Sequence, residues 1–148
     1  MSENQDNYWL AKAVTERIFE EWKSQGKSLA SGGKNFQMKY YKGQNFKLYE
    51  VLWRAHDLNL SVEYLLGCTH EKEAFIPVLI DYSRMREFKQ AKPLGNRLTV
   101  ARWMAERGKK KSLNLLTAFE IAEKYNMSVY QLFFKEMWND TEKRAKKA

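Results

Sequence analysis

Residues 55 to 67 read AHDLNLSVEYLLG, and residues 122 to 134 read AEKYNMSVYQLFF. The two phrases are offset by 67 residues (122 − 55), almost half the chain. Within them Ala55, Asn59, Ser61, Val62 and Leu65 recur as Ala122, Asn126, Ser128, Val129 and Leu132. The local chemistry of both phrases is the same. An apolar helical stripe runs into an Asn, a residue suited to a left-handed helix end. A Ser follows, whose hydroxyl suits the N-cap of a short last helix. Ser128 with Gln131 forms a capping box; Ser61 has Tyr64 in that place and carries half the signal. Val62, Leu65 and Leu66, like Val129, Leu132 and Phe133, are expected to turn inward. The spacing implies an internal duplication, divided into residues 1–74 and 75–148.

Working outward, helical periodicity continues in both directions. Leu48, Val51, Leu52, Ala55 and Leu58 form a stripe mirrored by Leu115, Ala118, Phe119, Ala122 and Tyr125. Leu10, Ala13, Val14, Ile18 and Trp22 predict an opening helix that stops at Gly26; its counterpart is read through Ile80, Arg84, Met85 and Phe88 to Pro93. Trp22, Leu52, Ala55 and Leu65 are expected to be buried together, and Leu115, Phe119, Ala122 and Leu132 likewise. Between the outer elements of each copy lies a basic stretch. The second reads PLGNRLTVARWMAERGKKKS, with a turn at Gly95, a helical run through Arg102 to Arg107, and a stop at Gly108. The first reads KSLASGGKNFQMKYYKGQNF, where Gly32 and Gly33 interrupt and the alternation of Phe36, Met38 and Tyr40 admits a short strand or a strained helix turn.

Charge follows the same plan. Residues 1–74 hold 10 Lys and Arg against 10 Asp and Glu, and residues 75–148 hold 16 against 8, so the formal +8 belongs to the second half. From Lys27 to Lys47 there are five lysines and no acid, and from Lys89 to Lys111 eight basic residues surround Glu106 alone. One basic run is usually a solvated face. Two runs at matching places in a duplication favour an anion-binding surface, and nucleic acid is the commonest polyanion.

Other classes find less support. The longest apolar run, Phe75 to Ile80, is short and contains Pro77, and MSENQDN lacks the features of a signal peptide, so no membrane association and a cytoplasmic protein are expected. Cys68 is the single cysteine, which excludes an internal disulfide and fits a reducing compartment. Cys68, His56 and His70 fall short of a zinc set, and there is no Gly-rich phosphate loop after a strand and no H-E-x-x-H. No catalytic residue, metal or cofactor is expected.

An opening helix, a basic turn and helix ending in Gly, the Asn-x-Ser-Val junction and YLLG with a following Thr together resemble the Cro and phage-repressor (XRE-like) helix-turn-helix family, as a tandem duplication. The match is closest over residues 48–69 and 106–133, where ERGKKKS is similar to the end of the family's recognition helix. The resemblance implies an all-α fold of two helix-turn-helix-like repeats forming a pseudo-dimer in one chain, the first degenerate and the second with a basic tail, with an optional short central strand pair. It implies a recognition helix over residues 96–107, with Asn96, Arg97, Thr99 and Arg102 toward base edges, Arg107 at its end, and Lys109, Lys110 and Lys111 on phosphates. Lys34, Asn35, Gln37, Lys39 and Lys42 correspond in the first copy. The implied partner is double-stranded DNA, and the implied role is transcriptional regulation of a phage or conjugative plasmid. Alternatives are an accessory role in conjugative transfer or replication, or an inhibitor module with a protein partner on the N-terminal half. The chain would act as a monomeric internal dimer or as a homodimer.

Overall fold

Asn59 and Asn126 end two equivalent helices in the left-handed region, at φ +53° and +56°, a conformation that Asn tolerates better than most residues. The computed structural model describes residues 3–108 and 113–137. Its α-helices are α1 (Glu3–Ser24), α2 (Lys34–Lys42), α3 (Leu48–Leu58), α4 (Val62–Leu65), α5 (Gly95–Glu106), α6 (Leu115–Tyr125) and α7 (Val129–Phe133). Turns of 3-10 helix at Leu29–Gly32 and Tyr82–Glu87 precede α2 and α5. Two strands, β1 (Val78–Ile80) and β2 (Phe134–Glu136), pair antiparallel with Leu79 opposite Lys135. The protein is therefore all-α with one short strand pair.

The repeated phrase folds the same way twice. The Ser61 hydroxyl accepts from the Tyr64 N–H and the Ser128 hydroxyl from the Gln131 N–H, each at 3.1 Å. Gln131 Oε1 returns the bond by accepting from the Ser128 N–H at 3.4 Å, completing the capping box only in the second copy. Both caps aim a short helix at the core, where Val62, Leu65, Leu66, Val129, Leu132 and Phe133 are all buried. α3 and α6 bury their predicted stripes except Leu52, which is half-buried at the edge of the cluster. Buried apolar residues from both halves form one continuous cluster.

Two expectations are corrected. The second half has no opening α-helix: Val78 to Ile80 extend to pair with β2, and the Asp81 N–H continues the connection by donating to the Phe133 carbonyl at 2.8 Å. Asp81 Oδ1 then accepts from the Ser83 N–H at 3.0 Å, which suits a capped turn, and only Met85 of the 3-10 turn is buried. Helix α1 serves both halves instead. It packs on α3 and α4 and also on α6, where Asn7 Nδ2 donates to Glu123 Oε2 at 2.8 Å.

The buried face of α1 also differs from the expected stripe. Asn7, Ala11, Val14, Thr15, Ile18, Phe19 and Trp22 face inward, whereas Leu10 is half exposed and Ala13 is exposed. Of the two readings open for residues 36–41, a strand or a helix turn, the structure shows the helical one, in α2. Phe36 anchors that helix against Phe19, Trp22 and Phe46, with ring centroids 4.7–5.7 Å away. A side chain at Gly32 would collide with the Phe36 ring, so the glycine that breaks the preceding segment also lets α2 seat.

Candidate nucleic-acid interface

The two halves join through residues of equal rank. Lys47 and Asn114 form an isolated antiparallel bridge; the Leu48 N–H donates to the Leu113 carbonyl at 2.9 Å, and the Leu115 N–H donates to the Phe46 carbonyl at 3.1 Å. Leu48 and Leu115 are themselves 67 residues apart (115 − 48). An antiparallel bridge has local two-fold symmetry, and here that symmetry relates one repeat to the other. Phe46 and Leu113 are buried on either side, which shields the paired backbone from water.

Helices α2 and α5 precede this junction in the chain, one in each half. Each closes on a left-handed glycine, Gly43 at φ +64° and Gly108 at φ +68°. The offset between these glycines is 65 (108 − 43), so the second linking loop is two residues longer than the first. Lys109, Lys110 and Lys111, which fall in that loop, lie outside the described residues, as does the basic tail. Neither half places an α-helix immediately before α2 or α5; a 3-10 turn stands there in both.

Around α2, lysine is plentiful and acid scarce. Lys34, Lys42 and Lys47 line one cleft of about 400 Å³ together with Asn35 and Tyr49. All three lysines are exposed, and among the described residues none of the three ammonium groups has an acidic partner. Lys39 is different. Its ammonium lies 3.4 Å from Glu50 Oε1, donates to the Asn45 carbonyl at 3.2 Å, and lies over the Phe46 ring. Lys39 thus fastens α2 to the start of α3. Asn35 is exposed, and Gln37 is half-buried on the flank of α2.

On α5 the expected base-reading arginines are largely engaged. Arg97 is bonded to Glu120, whose side chain is 8% exposed on α6. Arg102 Nη1 donates to the Tyr125 hydroxyl at 2.9 Å, and its Nε lies 3.8 Å from Glu106 Oε1. Thr99 turns its hydroxyl back to the Gly95 carbonyl at 2.7 Å. Arg107 stacks over the Trp103 ring at 4.7 Å, and Asn96 is exposed. The structure brings Asn96, Arg97, Thr99 and Arg107 to the surface, with Arg97 paired to Glu120 and the half-buried Arg102 bonded to Tyr125.

The outer face of α5 also carries residues that sequence reasoning missed. With Leu98 and Ala105 buried, positions 96, 100, 103 and 107 fall on the opposite side of the helix. Val100 and Trp103 are therefore 56% and 47% exposed. Apolar residues are ordinarily assigned to the core, which hid them. The i, i+3, i+4 spacing of those four positions, set against Leu98, was the signal that could have found them.

The rest of the surface offers little nucleophilic or metal chemistry. Cys68 is exposed, and partial desolvation pushes its thiol pKa up, offset in part by hydrogen bonds with the Tyr130 backbone and Ser128. Burial and the neighbouring Glu136 carboxylate raise the Tyr130 pKa as well. Among the described residues no group of three His, Cys, Asp or Glu side chains is placed to hold a metal ion, and no helix is long and apolar enough to cross a membrane. Compared with known proteins, the chain matches no family model, no curated protein and no solved structure.

Proposed function

We propose that the chain is a double-stranded DNA-binding regulator, working as an internal pseudo-dimer in the cytoplasm and controlling a phage or conjugative element. The observation that carries this reading is the junction itself. Two helices from equivalent basic stretches lead along the chain to one bridge that pairs equivalent residues, and Lys34, Lys42 and Lys47, without acidic partners among the described residues, line one cleft on its first side. Cations without acidic partners among the described residues, set on one side of a symmetric junction, suit a polyanion such as the backbone of a DNA duplex. The resemblance of residues 48–69 and 106–133 to Cro-like proteins supports the same reading and supplies the mobile-element context by analogy.

Binding of the full chain to a random-sequence duplex pool across a salt series tests it. A steep fall in affinity with salt and enrichment of one sequence support a regulator. Uniform retention supports the runner-up, an accessory protein of transfer or replication. No retention at low salt overturns DNA binding. One observation favours a protein partner in that event: Trp53 is 59% exposed on α3, edge-on to Tyr49 with ring centroids 4.7 Å apart. An aromatic pair of this kind on a surface helix is a common anchor for protein contacts.

A further inference from the structure

We infer that the outer face of α5 reads thymine methyl groups in the major groove, through Val100 and Trp103, and that this apolar contact replaces arginine–guanine pairing as its main source of sequence preference. The inference rests on the DNA-binding reading and names what that surface recognises. Three observations carry it.

The first is what the arginines do. Arg97 is bonded to buried Glu120, and Arg102 to Tyr125 and Glu106. Reaching a guanine edge would break those contacts and leave Glu120 buried without its cation. The second is where the apolar groups lie. Single exposed apolar side chains are ordinary on protein surfaces, but Val100 and Trp103 are adjacent at i and i+3 on the side of α5 opposite Leu98, between Asn96 and Arg107. The third is recurrence. Aligning the terminal glycines puts Met38 at the place of Trp103 (38 + 65), and Met38 is likewise exposed, between Lys34 and Lys42 on α2. Both halves therefore set an apolar side chain in the middle of a polar, basic helix face.

The ligand chemistry follows from that arrangement. A phosphate or a guanine edge gains nothing from Val100. The major groove offers one apolar group, the C5 methyl of thymine, and apolar side chains on a docked helix meet it directly. Arg107 and the α2 lysines would then supply backbone attraction on either side, and Asn96 one hydrogen-bonding contact to a base edge or phosphate.

Uracil replaces thymine without changing any hydrogen-bonding group, so it isolates the methyl. The full chain is first used to select its preferred duplex, and each thymine of that duplex is then replaced singly by deoxyuridine at fixed salt. At one or two positions affinity should fall about fourfold, the factor that burying one methyl carries. Val100→Ala should abolish the thymine–uracil difference at one of those positions, and Trp103→Ala at a neighbouring one. Both residues are surface-exposed, and an unchanged circular dichroism spectrum and melting temperature verify each variant's fold. Equal affinity of the wild-type chain for every thymine and uracil duplex overturns the inference while leaving DNA binding intact. Failure to bind any duplex overturns both.

Discussion

Arg102 and Tyr125 are joined by a 2.9 Å hydrogen bond from guanidinium to phenol, across 23 residues and from α5 to α6. The bond gives Arg102 a structural task on a helix whose sequence suggests a base-reading one. Half-buried and flanked by Glu106, Arg102 holds α5 in place. Arg102→Ala should therefore lower stability by about 0.5–1.5 kcal/mol, the usual worth of one such bond, while the base preference of the bound chain is unchanged. Chemical denaturation and a competition assay on single-base variants measure the two effects separately. A large loss of discrimination at unchanged stability would return Arg102 to the base-reading set.

Arg97→Ala should cost more stability than Arg102→Ala, because it leaves the Glu120 carboxylate buried and unpaired. Since the Arg97 side chain is 64% exposed, water screens the pair, and the full cost of an orphaned buried charge is not reached. A loss of about 1–3 kcal/mol is expected. Arg97→Ala combined with Glu120→Gln should recover part of it, read as a midpoint shift in urea.

On the proposed DNA-binding reading, Lys34, Lys42 and Lys47 are the candidates for phosphate contact on α2 and its following loop, being exposed and free of acids among the described residues. Replacing all three by Ala should weaken binding to every duplex alike. It should also reduce the slope of log affinity against log salt by about 0.9 for each phosphate no longer neutralised. Lys39→Ala should behave differently, lowering stability through Glu50 and Asn45 with little effect on the slope. A salt slope unchanged in the triple variant would make those lysines solvated surface only.

The repeat was legible in the sequence wherever one residue type has few other uses. Asn59 and Asn126 at left-handed positions, Ser61 and Ser128 as caps, and the inward Val and Leu residues behind them all follow from local chemistry, which tertiary packing did not override. What tertiary packing decides was hidden. Ile80 to Phe88 has helical spacing, but the backbone around it is claimed by β2, a partner more than 50 residues away (134 − 80). Phe19 is buried against the rings of Phe36, Tyr40 and Phe46, tertiary partners on α2 and the loop after it, so it could not be ranked above Leu10 from spacing alone. On α5, arginine and asparagine were visible as readers by type. The acids and phenol that engage the arginines sit largely on another helix, and Val100 and Trp103 resembled core.

The sharing of α1 between halves yields a test that depends on no ligand. Asn7 and Glu123 are 116 residues apart and bonded at 2.8 Å, with Asn7 4% exposed. A double-mutant cycle with Asn7→Ala and Glu123→Ala should show a coupling of about 1.5–3 kcal/mol, the net worth of a hydrogen bond to a charged group. Additive effects would mean that α1 holds the second half by apolar contact alone.

The bridge between Lys47 and Asn114 makes a geometric prediction for the complex. On the pseudo-dimer reading, a duplex lying across the junction should meet α2 and α5 in successive major grooves on one face. Protection from hydroxyl radicals should appear as two patches about one helical turn apart, roughly 10 base pairs. The patches should differ in depth, since α2 spans 9 residues and α5 spans 12, and since the α2 face is richer in lysine while the α5 face is more apolar. Lys34→Ala with Lys42→Ala should erase one patch and leave the other, and Val100→Ala with Trp103→Ala should shift sequence preference under the second only. A single protected patch, unaffected by the lysine replacements, would mean that α5 alone meets DNA and that the first half holds the junction together, with Trp53 and Tyr49 turned to another partner.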